Sequence, residues 1–210
     1  MVVELIEKYF NYITDDQRNK FSELMNLYSD WNSKINVISR KDMDQFYLHH
    51  VVHSLTLTKF VTFSKGTKIM DLGTGGGFPG IPLAIYYPEV EFVLLDSIGK
   101  KIKVVQEVAN SLQLQNLRAY HVRAEEHHEK FHYVVSRAVS TLKELIQWTK
   151  YSFEKKELNP LPNGIIAYKG GNLTEELKEI KKSNPFEQWT ISDHFSEDYF
   201  KQKYLIYVQK

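Results

Sequence analysis

The stretch Ile69-Met70-Asp71-Leu72-Gly73-Thr74-Gly75-Gly76-Gly77-Phe78-Pro79-Gly80 constrains the fold more than any other part of the chain. An apolar strand ends at an acidic residue. A run of glycines follows, then prolines that open a helix. Glycines permit a tight turn with positive φ and let a ligand approach the backbone. Pro79 and Pro82 suit a first helical turn, where a missing N–H costs little. Such a loop sits at the C-terminal end of the first strand of an α/β sheet, where nucleotide-type cofactors bind.

The flanking patterns agree. From Thr67 onward strands and helices alternate. Strands are expected at 68–72, 90–95, 117–122, 133–136 and 164–168. Helices follow Pro79 (to about Tyr87), Ser97 (as a cap, to about Leu112), Ser140 (as a cap) and Thr174. Residues 186–192 and 203–208 read as a closing pair of strands. The expected architecture is Rossmann-like α/β, a mostly parallel seven-stranded sheet with an antiparallel edge. The first sixty or so residues read as helical. Thr14-Asp15-Asp16-Gln17 forms a capping box, and Phe21, Leu24, Leu27, Tyr28 and Trp31 recur at helical spacing. A further helix is expected over 42–60. The chain thus divides into an N-terminal helical extension, 1–64, packed on a main domain, 65–210.

At 210 residues, 42% hydrophobic and 25% charged, the chain can build a core and stay soluble. No run approaches the ~18 apolar residues of a membrane span. Met1-Val2-Val3-Glu4 lacks the basic-then-apolar opening of a leader. The absence of cysteine excludes disulfides, thiolate metal sites and a cysteine nucleophile, and fits a cytoplasmic location. With net charge +1, any nucleic-acid footprint must be local.

Four loops converge at the strand ends: 71–78, Asp96, Arg123-Ala124-Glu125 and Ser136-Arg137-Ala138. Asp96 lies about twenty residues past the glycines, where a carboxylate accepts from both ribose hydroxyls; alone, it also reads as a favourable charge at a helix N-terminus. Glu125 suits an adenine amino group or a cap. Gly75, Gly77 and Gly80 satisfy the dinucleotide spacing, a weak signal by itself. Asp71 at the mouth of the site would repel a pyrophosphate but not the ammonium and sulfonium of S-adenosylmethionine. The loop therefore favours that cofactor over NAD. Lys100, Lys101 and Lys103, with Arg123, Arg137 and Lys169 at the strand ends, form a basic rim fit for RNA phosphates, the plainer reading of the helix lysines being a solvated face. For metal, His49 and His53 and the run Glu126-His127-His128-Glu129 offer side chains without an evident third ligand. His50 is expected to make an inter-helix hydrogen bond or cap, and His127 and His128 to lie on the surface. Tyr28 and Trp31 are expected in the core.

Asp71-Leu-Gly-Thr-Gly-Gly-Gly-Phe-Pro-Gly-Ile-Pro-Leu-Ala, Leu95-Asp96-Ser97 with Lys100-Lys101, Ser136-Arg137-Ala138 and Tyr168-Lys169-Gly170 occur in this order. Together with Trp31-Asn32, Ile35-Asn36 and the segment 50–55, they resemble the bacterial 16S ribosomal RNA guanine-N7 methyltransferases, the RsmG or glucose-inhibited division protein B family, over nearly the whole chain. The resemblance implies a class I methyltransferase, a cytoplasmic monomer, acting on N7 of one guanosine in the decoding-region hairpin of 16S ribosomal RNA, free or in the 30S subunit. It implies cofactor contacts at Gly73, Phe78, Ala124, Glu125 and Arg137, beside Asp71, Gly75, Gly77 and Asp96 from the loop reading. Arg137 is also the candidate for positioning substrate. Guanine N7 carries a lone pair and no proton, so no general base is needed. Departures are His53, where many members carry Asp, and Gly76 and Phe78, where others carry Ala and Leu. The alternatives are a small-molecule or protein methyltransferase of the same fold, and an NAD-dependent oxidoreductase, which Asp71 disfavours.

Overall fold

A computed structural model of the chain describes residues 4–181 and 184–210. The opening residues Met1 to Val3, read above for a leader, lie outside the described residues. Among the described residues no helix is long and apolar enough to cross a membrane.

Seven strands form one sheet in the order β3-β2-β1-β4-β5-β7-β6. They are β1 (Lys68–Leu72), β2 (Glu91–Asp96), β3 (Leu117–His121), β4 (Tyr133–Arg137), β5 (Gly164–Gly170), β6 (Phe186–Thr190) and β7 (Lys203–Gln209). Strands β1 to β5 pair in parallel, and β7 runs antiparallel to both β5 and β6. The order reverses between β1 and β4, the switch point where open α/β sheets leave a crevice. The central strands are apolar on both faces because helices cover both. One face presents Ile69, Phe92, Leu94, Val135 and Ile166, the other Met70, Leu72, Val93, Leu95 and Val134.

Helices α1 (Glu4–Tyr9) and α2 (Asp15–Lys34) share one core with the first face through Ile6, Phe21, Leu24 and Tyr28. The capping box at Thr14 and Gln17 is present. Gln17 also reaches out of its helix. Its Nε2 donates to the carbonyls of Ile85 (3.0 Å) and Tyr86 (2.9 Å), at the C-terminus of the helix that follows the glycine loop, Gly80–Tyr86. Carbonyls there have no helical partner, so one amide caps two helices.

The continuous helix expected over 42–60 is broken into a short α3 (Arg40–Met43), a π-helical turn (Tyr47–Val52), a short α4 (His53–Leu55) and a 3-10 turn (Thr56–Lys59). Residues 51–57 are all buried. With no solvent face, nothing in the pattern enforces a 3.6-residue register. The helix after β1 is α5 (Gly80–Tyr86), and α6 (Gly99–Ser111), α7 (Leu142–Trp148) and α8 (Thr174–Ile180) follow. Two caps differ from expectation. Ser97 does not cap α6; the Asp96 carboxylate accepts from the Ile98 N–H at 2.8 Å instead. Thr141, not Ser140, caps α7, because the capping box needs Glu144 three residues on.

Replacing Gln17 strands the Ile85 and Tyr86 carbonyls. Gln17→Ala is expected to destabilise the protein by about 1–3 kcal/mol, as for a buried hydrogen-bonding group left unpaired. Urea denaturation checks it, and an unchanged midpoint would count against the tie.

Candidate functional site

The glycine loop is held from below. Asp71 is fully buried, and its Oδ2 accepts from the Thr74 hydroxyl (2.6 Å) and the Gly80 N–H (2.8 Å). A Cβ at Gly80 would stand 2.7 Å from that oxygen, so only glycine lets α5 start this close to the strand. Asp71 Oδ1 has no partner, and burial pushes this carboxyl up to about 7 against the pull of Thr74 and Gly80. The expectation of a carboxylate at the mouth of the site is corrected: Asp71 lines neither half of the crevice. It braces the loop from the core side.

Above the loop the crevice has two parts. One is lined by Leu72, Leu95, Val122, Ala124, Val139 and Trp148, with Asp96, Ser97, Arg123 and Glu125 as its polar members. The other is lined by Gly73 to Gly76, Phe78, His50, Lys101, Arg137 and Ala138. Gly73, Asp96, Ser97 and Val139 belong to both. Apolar walls with a few convergent polar groups suit a flat heterocycle in the first part and a polar tail in the second.

Asp96 stands where the two parts meet. Its Oδ2 accepts from the Gly75 N–H at 2.9 Å, and its Oδ1 from Ile98. Gly75 has φ +58°, a left-handed conformation that glycine adopts freely. A carboxylate has about four acceptor positions, so both oxygens retain capacity for a ribose diol. Ala124 and Glu125 lie in a 3-10 turn after β3 and reach the first part of the crevice. Gly77 is buried under the loop, close to Ile81 and the Tyr28 hydroxyl, and lines neither part.

Phe78 is 4% exposed and packs its ring on Tyr28 (centroids 4.9 Å) and His50 (4.9 Å). The Arg137 guanidinium lies 5.3 Å from the Phe78 ring centre. Arg137 donates to the His49 carbonyl and to His50 Nδ1, both at 3.0 Å. Guanidinium only donates, so His50 Nδ1 accepts and the neutral ring carries its proton on Nε2. Burial and then the Arg137 charge push His50 down to about 3. His50 is thus a hydrogen-bond partner, but to the end of strand β4 rather than to another helix.

Two further placements differ. Lys169 leaves the basic rim: its ammonium is bound to Glu176 (2.6 Å) and the Ser140 carbonyl (2.5 Å), with 14% of the side chain exposed. Glu176 also accepts from the Leu142 N–H at the start of α7, so Lys169 braces two helices. His127 is half-buried against Phe131 and Tyr120, not a surface residue. His53 is buried against Tyr168, Tyr199 and Phe200, away from the crevice. Lys100 is exposed and Lys101 half-buried on the crevice wall.

Two motif spacings do not lead to sites. His128-Glu129-Lys130-Phe131-His132 has the His-Glu-x-x-His spacing, but it runs outside any helix, and zinc binding by that motif needs both histidines on one helical face. His132 Nδ1 instead accepts from the Lys68 N–H at 3.0 Å. Among the described residues no three His, Asp or Glu side chains gather to hold a metal. The Tyr-x-x-x-Lys spacings of many nicotinamide-dependent reductases, Tyr151–Lys155 and Tyr199–Lys203, lie outside both parts of the crevice.

Sequence reading missed the wall that the N-terminal helices supply. The Tyr28 hydroxyl donates to the Gly76 carbonyl at 2.5 Å, and Val37 lines the crevice against Gly76. Asn32 pins that turn by accepting from the Val37 and Ile38 N–H groups, both 2.9 Å. The sequence signals near this wall were the Trp31-Asn32 and Ile35-Asn36 pairs.

A family model described as rRNA small subunit methyltransferase G matches residues 17–198. The chain is 49% identical over 208 residues to "Ribosomal RNA small subunit methyltransferase G" of Christiangramia forsetii, covering 99% of this chain and 97% of that protein. It is 50% identical over 207 residues to the protein of the same name from Bacteroides thetaiotaomicron, covering 99% and 100%. Among solved structures it resembles a SAM-dependent O-methyltransferase from Thermotoga maritima, with TM-score 0.59, 11% identity and coverage of 80% and 69%. A SAM dependent methyltransferase from Aquifex aeolicus gives TM-score 0.57 at 13% identity, covering 78% and 92%. At these identities the structural likeness speaks for the fold alone.

The Asp71 brace has a pH signature. Its carboxyl titrates near 4 in an unfolded chain and about 7 when folded. The folded protein keeps a proton that the unfolded chain releases as pH rises from about 4 to 7. This group's contribution is therefore full below about pH 4 and is lost as pH rises through about 7. Relative to Asp71→Asn, which has no such proton, wild type should lose up to about 4 kcal/mol over that window. Paired urea titrations at pH 4 and 8 read the difference, and a pH-independent gap refutes it.

Proposed function

The chain belongs to the rRNA small subunit methyltransferase G family, and from that membership we propose that it transfers the methyl group of S-adenosylmethionine to N7 of one guanosine in the decoding-region hairpin of 16S ribosomal RNA. The observation that carries this reading is identity near one half along nearly the full length of both chains, joined to a crevice whose donor set suits that cofactor. It favours ribosomal RNA over a small-molecule or protein substrate and over nicotinamide chemistry. We take residues 1–64 as a helical extension that walls the site and 65–210 as the methyltransferase domain, working in the cytoplasm as a monomer.

The fit to the cofactor rests on the crevice itself. The apolar part between Leu95, Val122 and Ala124 takes the adenine, with Glu125 at its edge. Asp96 takes the ribose hydroxyls. A Cβ at Gly73 would run into the Val139 side chain, so the loop backbone stays bare where the methionyl chain passes. When bound, the cofactor supplies an electrophilic methyl on a sulfonium. The protein's task is alignment, since effective concentration and geometry alone lower such barriers by several kcal/mol. Arg137, fixed by His49 and His50, sets the floor on which the base is oriented. Among the described residues, neither Asp71, Asp96 nor His50 is free to act as a general base. Asp71 is sealed below the loop, Asp96 is held by two N–H groups, and His50 spends Nδ1 on Arg137. A nucleophile without a proton, such as guanine N7, matches that inventory. Lys100, Lys101 and Arg123 supply cationic groups for the RNA backbone at the rim.

Incubation with labelled S-adenosylmethionine and 30S subunits or free ribosomal RNA is expected to place a single 7-methylguanosine in 16S RNA. Cofactor binding without transfer to RNA would defeat the proposal. Asp96→Ala should weaken cofactor binding by about 1–3 kcal/mol, the value of hydrogen bonds to a charged group. Calorimetry returning wild-type affinity would remove Asp96 from its role.

A further inference from the structure

A second charged surface lies at the opposite end of the sheet. Phe131, just before β4, bridges Phe153 in the turn that precedes β5. Around this bridge Lys130, Lys150, Lys155 and Lys156 ring a shallow depression with Tyr151 and Phe153. Glu154, the one carboxylate in its lining, faces Lys68 at 3.9 Å. Among the described residues, Lys150, Lys155 and Lys156 take part in no ion pair. Tyr151 is 75% exposed, far more than a tyrosine that packs a core, and the Lys150 ammonium sits 5.2 Å from its ring centre. The Lys130 ammonium bonds the Tyr151 carbonyl and fixes the backbone that presents the ring.

Lysines set around an open aromatic face match the chemistry of a single-stranded nucleic acid, phosphates against ammonium groups and a base against the ring. The crevice lies at the carboxyl ends of the strands and this surface at the amino ends. Five residues of β4 separate them, about 17 Å at ~3.3 Å per residue. A nucleotide seated at Arg137 does not reach it.

We propose that the surface around Tyr151 is a second RNA-docking site, which holds an unpaired segment of the substrate RNA remote from the methylated nucleotide. The inference rests on the ribosomal RNA reading above. On a large folded RNA it adds affinity and selects the particle, while the crevice selects the base. A short hairpin that fills only the crevice gains nothing from it.

The test uses the full chain with Lys150, Lys155 and Lys156 changed together to Gln, and separately Tyr151→Ser. Binding to 16S RNA, to 30S particles and to a short decoding-region hairpin is measured over a salt series, alongside methyl transfer to the hairpin. The triple variant should bind 16S RNA and 30S particles at least about tenfold more weakly, with the slope of log K against log salt reduced by about 2, since each phosphate contact contributes about 0.7–0.9. Tyr151→Ser should weaken binding by about tenfold with an unchanged slope. Transfer to the hairpin should match wild type in both. Wild-type affinity and slope in the triple variant overturn the docking site while leaving the methyltransferase reading intact. Weakened binding to 30S particles with normal binding to naked 16S RNA also overturns it, because the partner is then a protein. Failure of wild type to methylate any RNA removes the reading on which it stands.

Discussion

The architecture turns on one buried carboxylate. Asp71 is the penultimate residue of the central strand, and a single oxygen of it receives the Thr74 hydroxyl and the Gly80 N–H, closing the loop between strand and helix into a ring of hydrogen bonds. That ring fixes where α5 begins, and so where Gly73 and Gly75 present their backbone. It also explains the composition of the loop. Gly80 carries no side chain because Asp71 and Leu94 occupy the space where a Cβ would be. The arrangement places a carboxylate in the apolar core, where its charged form is disfavoured. The loop gains a fixed geometry in exchange for a titration that weakens the fold toward neutral pH.

Around this joint the N-terminal helices do more than shield the sheet. Tyr28 bonds the outer carbonyl of the loop, Val37 leans on Gly76, and His50 holds Arg137. The crevice is therefore assembled by two segments distant in sequence, each incomplete alone. The aromatic cluster of Tyr28, Phe46 and Phe78 couples them. A rearrangement of the π-helical turn that carries His50 moves Arg137 with it, since the guanidinium has its partners there.

Much of this was legible in the sequence, for a physical reason. Strands buried on both faces announce themselves as apolar runs, and a glycine loop after such a run has few alternative uses. All seven strands stand where the pattern placed them, and Asp96, Ala124, Glu125 and Arg137 meet at one crevice. The misreadings share a cause. Asp71, Lys169 and His127 were read by their charge, whereas their roles depend on depth and on partners far along the chain. Lys169 meets Glu176, and Asp71 lies beneath Gly80. The helix expected over 42–60 gives way to π and 3-10 turns where residues 51–57, buried all round, carry no amphipathic signal. The N-terminal wall was invisible because a tyrosine bonded to a loop carbonyl looks, in sequence, like any core tyrosine.

The titratable inventory of the crevice bears on what chemistry it supports. An acid–base enzyme keeps a group whose pKa is tuned toward neutrality and exposed to substrate. Here, among the described residues, the carboxyl moved to about 7 is sealed in the core, and the crevice histidine His50 is pushed to about 3. Both shifts arise mainly from burial and both serve the scaffold. His50 stays neutral because burial, and then the Arg137 charge beside it, disfavour its protonation, and that neutrality lets Arg137 remain in place across the physiological pH range. A site built this way governs distance and orientation. Its rate should follow the positioning of nucleophile and methyl donor, with pH acting chiefly through the stability of the loop beneath them.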